Sequence, residues 1–135
     1  MLFRSEDKSI QNEERFENLM TKAKILDALG RKDEATAARN RSLGIANAQQ
    51  LYGYGRQLQR DKRQDEAFAL FQSTAKKYPD YWLSHAGLAR IYSSKGDFDN
   101  ATKQMEMALA GAPYQAKTGV QGLIKRLQAK QDINQ

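Results

Sequence analysis

Proton transfer near neutral pH falls to histidine more than to any other side chain, and this chain has one, His85. It lies in an apolar stripe at helical spacing, so it reads as a packing residue rather than a general base or a ligand. Cysteine is absent, which removes disulfides, thiolate metal sites and thiol nucleophiles and leaves carboxylates alone for metal chemistry. The acidic neighbours Glu13 with Glu14, Glu17 near Met20, and Asp97 with Asp99 fall on first turns or links and read as solvated caps. Gly53-Tyr54-Gly55 lacks the spacing of a phosphate-cradling loop and sits inside a helical pattern, where close helix packing explains it. Asn40-Arg41-Ser42 and Asn100-Ala101-Thr102 match the glycosylation triplet, but both fall in helical pattern. The chain reads as non-enzymatic, with neither cofactor nor metal.

Lys and Arg number 22 against 16 Asp and Glu, a net +6. The excess is central, with 8 bases against 4 acids in residues 46–95. Acids are interspersed, unlike a basic stripe with stacking aromatics, so nucleic acid is not the expected partner. No stretch approaches the roughly 20 apolar residues of a membrane span, and Met1-Leu2-Phe3-Arg4-Ser5-Glu6-Asp7 lacks the apolar run of a secretory signal. A chain of 135 residues, 40% hydrophobic and 28% charged, suits one folded domain of ordinary size.

The elements that carry these residues repeat. Pro79 and Pro113 lie 34 residues apart, as do Ala67 and Ala101, Phe71 and Met105, Leu58 and Tyr92, and Tyr54 and Leu88. Leu51, Tyr54, Gly55, Leu58 and then His85, Leu88, Ala89, Tyr92 trace one face of a helix. A second stripe follows each: Ala67, Phe71, Thr74 and Ala101, Met105, Ala108. Short polar links, Arg60-Asp61-Lys62-Arg63 and Ser94-Lys95-Gly96-Asp97, predict antiparallel helical hairpins. Asp33, Asp65 and Asp99 open the second helices, where acids cap free N–H groups and meet the positive dipole end. Gly30 and Gly96 stand where a helix end favours left-handed backbone. Lys62 holds that place in the middle unit, so its turn either differs or carries about 1 kcal/mol of strain.

These residues resemble the tetratricopeptide repeat, a helix-turn-helix unit running from a bulky residue through Leu-Gly, Tyr, Ala, Phe and Ala to Pro. With Ala48 and Trp82 as first positions, Gly55 and Ala89, Ala67 and Ala101, and Pro79 and Pro113 fall on the motif, giving repeats over 48–81 and 82–115. A degenerate unit over 16–47 keeps Phe16, Leu19, Ala23, Leu26, Gly30 and Ala35 in register, but Lys22 and Arg39 stand where apolar residues belong. Val120, Leu123, Ile124 and Leu127 form a stripe without a partner, which reads as a capping helix over 114–130. The resemblance implies an all-α fold, a right-handed α-α superhelix of antiparallel hairpins over 13–131. Residues 1–12 would then be the tail of a truncated preceding repeat or disordered. Phe3, Ile10 and Phe16 would then need a self-association partner, a homodimer through the exposed N-terminal end, or remain mobile.

Proteins of this kind use their first helices to line a concave groove for a peptide or a partner's helix. Carried onto this chain, one groove position reads Lys24, Arg56 and Arg90, a basic ladder with steps of about 10 Å if the repeats stack. Tyr52, Gln59, Arg60, Gln49, Leu83 and Ser94 lie around it. Guanidinium forks and Tyr side chains suit an acidic peptide or a free C-terminus, whereas the alternative has each base paired with a neighbouring acid or extended into water. Chaperone-binding members hold two carboxylates with Lys and Asn where Met20, Lys24 and Gly53 stand here, so the resemblance does not extend to chaperone tails.

A closer resemblance is carried by Leu29-Gly30-Arg31, Tyr54-Gly55-Arg56-Gln57-Leu58, Ala75-Lys76-Lys77-Tyr78-Pro79 and Leu127-Gln128-Ala129-Lys130-Gln131-Asp132-Ile133-Asn134. They look like the C-terminal repeat segment of bacterial proteins in which it follows an all-β domain, usually behind a signal peptide. That implies a segment of an exported, periplasmic protein; the chain's own residues leave a cytoplasmic one open. The expected function is a non-catalytic module that binds a protein or peptide in its groove. The alternative is a structural spacer or dimerisation segment of the larger protein.

Overall fold

The computed structural model describes residues 15–135, and expectations for Phe3, Ile10 and the tail of a preceding repeat lie outside them. Among the described residues, seven helices follow one another as antiparallel hairpins: α1 (Phe16–Ala28), α2 (Lys32–Ile45), α3 (Ala48–Arg60), α4 (Gln64–Lys77), α5 (Trp82–Ser94), α6 (Phe98–Gly111) and α7 (Tyr114–Gln128). The all-α class read from the sequence is therefore observed. The chain divides into two compact units within α3, residues 15–50 and residues 51–135.

The turns repeat one device. After α1, α3, α5 and α7 the backbone becomes left-handed at Gly30 (φ 78°), Lys62 (φ 61°), Gly96 (φ 78°) and Lys130 (φ 57°). At each, the next residue's N–H reaches back to a carbonyl of the last helical turn: Arg31 to Leu26 at 2.9 Å, Arg63 to Leu58 at 2.8 Å, Asp97 to Tyr92 at 2.9 Å, Gln131 to Arg126 at 2.9 Å. Orphan carbonyls are thereby satisfied, and the chain reverses. Lys62 keeps the common geometry and accepts about 1 to 2 kcal/mol of left-handed strain.

Capping departs from the sequence reading. The residues flanking α2, α4 and α6 are Arg31, Arg63 and Asp97, and of these only Asp97 caps with its side chain, accepting from Asn100 N at 3.2 Å. Asp33, Asp65 and Asp99 lie inside the first turn. They face the dipole but stand past the cap position. Arg31 and Arg63 instead form ion pairs with Glu34 and Glu66, three residues on.

In the first unit, Ala23 and Leu26 of α1 pack against Ala35 and Ala38 of α2. Polar contacts supplement this small apolar seam: Arg39 Nη2 meets Asp27 Oδ2 at 2.6 Å, and Ser42 Oγ donates to the Phe16 carbonyl at 3.1 Å. Asn47 and Gln50 exchange side-chain and backbone bonds of 2.8 and 3.0 Å at the start of α3, a capping box.

The second unit is built on larger side chains. Phe71 of α4 is fully buried, and its ring lies against Gly55 and Gly87, where an added Cβ would stand 2.5 and 2.7 Å from ring atoms. Only glycine admits the ring at these two places. Leu58, Ala67, Leu88 and Ile91 complete that cluster. A second cluster joins Ala89, Met105, Ala108, Val120, Ile124 and Leu127 across α5, α6 and α7. Helix α5 serves both clusters, so it is buried around most of its circumference, at Ser84, Ala86, Gly87, Leu88, Ala89, Ile91 and Ser93. After Lys130 the chain returns to this unit and buries Ile133 in the second cluster.

Candidate functional site

Arg56 and Arg90 hold the same place on α3 and α5, eight residues after each helix begins. Both are half-buried. Burial, and after it the charge of Arg90, lowers the Arg56 pKa from its ordinary value. The guanidinium stays protonated at any physiological pH. Among the described residues neither arginine forms an ion pair.

Neutral groups occupy the pair instead. Arg56 Nη1 donates to Gln59 Oε1 at 2.5 Å, and Gln59 Nε2 donates to Asn134 Oδ1 at 3.2 Å. Asn134 Nδ2 in turn donates to the Arg90 carbonyl at 2.8 Å, while Arg90 Nη1 reaches the Ile133 carbonyl at 3.3 Å. Arg90 Nε is buried without a hydrogen-bond partner. Such an orphaned donor costs about 1 to 3 kcal/mol.

The returning segment is fastened at a second point. Ser93 Oγ donates to Asp132 Oδ1 at 2.9 Å and accepts from Ile133 N at 3.0 Å. Burial works to raise the Asp132 pKa, but donors from the backbone and side chain of Asn134, the Ser93 hydroxyl and the charge of Arg126 outweigh it and hold the carboxyl below its usual range. Arg126 also donates to the Asp132 carbonyl at 2.9 Å.

Beside Arg90 a cleft of about 370 Å³ opens between α5 and α7, lined by Trp82, Leu83, Gly119 and Leu123 among others, with Tyr52 of α3 contributing. The Tyr52 ring lies 5.8 Å from that of Phe71 and 6.5 Å from that of Tyr81. Burial raises the Tyr81 pKa, with Tyr52 adding to the shift.

Of the residues expected to line a groove, Tyr52, Leu83 and Arg90 share this cleft. Arg56 and Gln59 join Arg90 through Asn134. Arg60 is exposed and donates to Gln57 Oε1 at 2.8 Å, and the Ser94 hydroxyl turns back to the Ile91 carbonyl at 2.7 Å. Lys24 is exposed on α1, in the first unit. Trp82, Ser93 and residues 132–134 belong to the site but were not anticipated; the one hint was Ile133, an apolar residue standing alone after the α7 stripe.

His85 accepts or donates through Nδ1 with Gln104 Oε1 at 3.1 Å and borders a separate depression with Asp80 and Met107. Among the described residues no three His, Asp or Glu side chains converge as metal ligands, and no helix is long and apolar enough to cross a membrane. No protein-family model matches the chain, and no curated protein is similar to it in sequence.

Proposed function

We propose that the chain is a protein-interaction module of the tetratricopeptide kind, in which residues 51–135 bind an extended peptide against α3 and α5. The observation that supports this reading is the pair Arg56 and Arg90, half-buried and without an acidic partner among the described residues, beside a cleft lined by Tyr52 and Leu83. Two half-buried like charges repel each other, an anion between them relieves the repulsion, and guanidinium forks match a carboxylate. Leu83 and Tyr52 would add apolar contact and an adaptable hydroxyl.

The test is fluorescence anisotropy with a panel of extended peptides of graded acidity, on the wild-type chain and on the double variant Arg56→Glu, Arg90→Glu. Acidic peptides should bind the wild type, and the double variant should lose them with its helical circular dichroism unchanged. Equal binding by both proteins would overturn the reading.

A second reading, self-association, is favoured by Ile25 and Leu29, one turn apart and 56% and 64% exposed. Sedimentation of Ile25→Lys, Leu29→Lys beside the wild type separates it: a dimer that this variant dissolves supports a structural spacer or dimerisation segment.

A further inference from the structure

The seam between α5 and α7 is filled at one end and open at the other. At the filled end the chain's own residues 132–134 form a turn: Ile133 is buried in one cluster with Ile124 and Leu127, the Asp132 carboxylate is held by the Ser93 hydroxyl, and the Ile133 carbonyl meets Arg90. An aliphatic side chain next to a carboxylate is thus what this seam already accommodates. At the open end the walls are of the same kind, Trp82, Leu83 and Leu123, with Ala86 and Val120 common to the cleft and to the cluster that buries Ile133. Arg90 stands at the junction, with its Nε orphaned, and Arg56 next to it has no acidic partner among the described residues.

We infer that the open cleft binds a partner segment in which a bulky aliphatic or aromatic side chain adjoins a carboxylate, the apolar group entering beside Trp82 and the carboxylate meeting Arg90 and Arg56. This rests on the peptide-binding reading above and adds the chemistry of the peptide. The cleft volume, about 370 Å³, lies in the range of sites that enclose small groups rather than whole elements. Neither interaction suffices alone: the apolar walls give area without direction, and the guanidinium pair is accessible enough for water to compete.

Trp82 is the chain's one tryptophan and lines the cleft, so its emission reports occupancy directly. The probes are three capped pentapeptides: one with Asp-Leu-Asn at its centre, one with that Asp replaced by Asn, and one with that Leu replaced by Ala. The first should shift Trp82 emission saturably, and each replacement should weaken it by about tenfold or more, the loss of one charged hydrogen bond or one buried side chain. Gly119→Leu fills the cleft without touching either arginine. A Cβ at Gly119 meets nothing within 4 Å, and leucine is the better helix former, so melting should be unchanged or raised. That variant should lose the first peptide by the same factor. Unaltered binding by Gly119→Leu, equal binding of the Asp and Asn peptides, or no saturable shift with any of them at millimolar concentration overturns the inference. If Arg56→Glu, Arg90→Glu abolishes peptide capture while Gly119→Leu does not, the interaction module stands and the cleft is not its apolar subsite.

Discussion

Arg39 in the first unit and Phe71 in the second occupy the same place in their hairpins, four residues after Ala35 and Ala67, the fully buried alanines that anchor α2 and α4. Phe71 fills its surroundings so completely that two neighbouring helices must offer glycine. Arg39 keeps part of its side chain in solvent and reaches across to Asp27. The same division recurs three residues on, where Ser42 bonds the Phe16 carbonyl of the neighbouring helix and Thr74 bonds Leu70 within its own. One hairpin geometry is therefore stabilised in two ways, by volume in residues 51–135 and by directed polar contacts across an alanine seam in residues 15–50. Volume is the stronger, because a partly exposed ion pair contributes about 1 kcal/mol or less while a buried ring contributes several times that.

Truncation tests this difference most severely. Phe71→Ala should destabilise the second unit by about 3 to 5 kcal/mol, read as a fall in the urea midpoint followed by Trp82 fluorescence. A loss under about 1 kcal/mol would mean that the glycine-lined site collapses around the missing ring. Lys62→Gly should raise stability by about 1 kcal/mol, since glycine adopts the left-handed conformation at φ 61° without the side-chain penalty. Gly96→Ala, at φ 78°, should lower it by a similar amount, about 1 kcal/mol. Arg39→Met should change stability by less than about 1 kcal/mol, because methionine covers the seam as the ion pair is lost. Amide exchange in α1 and α2 measures it. A large loss there would show that the first unit depends on its ion pair more than its exposure suggests.

The smallest effect concerns the returning segment. The Asp132 pKa is lowered in the folded chain relative to the unfolded value of about 3.9, so its contribution is present above that value and is lost as pH falls through the lower, folded one. Residues 131–135 should begin to loosen from α5 below about pH 4, seen as a shift of the Ile133 methyl resonances. Asp132→Asn should remove that dependence on pH.

The hairpins were legible because each buried position recurs with its partner: Ala67, Phe71 and Thr74 against Ala101, Met105 and Ala108 are all buried, as their spacing requires. The special place of Lys62 was legible too, since its equivalents are Gly30 and Gly96, but the pattern left open whether its turn differs or is strained. The arginine flanks of α2 and α4 were not, because acids two or three residues farther on satisfy the same compositional rule for a helix start. Residues 132–134 escaped for a different reason. A lone isoleucine after a turn has no period, and its burial depends on the left-handed Lys130, a residue type that does not announce such a conformation. The site divides in the same way: register brought Arg56 and Arg90 to notice, while Trp82 and Ser93 emerge only where α5, α7 and the returning segment meet.

Because Arg90, Ser93 and Gln59 pin the chain as far as Asn134, any polypeptide joined after Gln135 sets out from beside the guanidinium pair. A guest sequence on a short flexible tether would visit the α5–α7 seam at an effective concentration of about a millimolar, so even feeble recognition would hold it. Reporter fusions are therefore better placed at the other end of the chain, and the same proximity offers a way to display a weak ligand in permanent reach of its receptor.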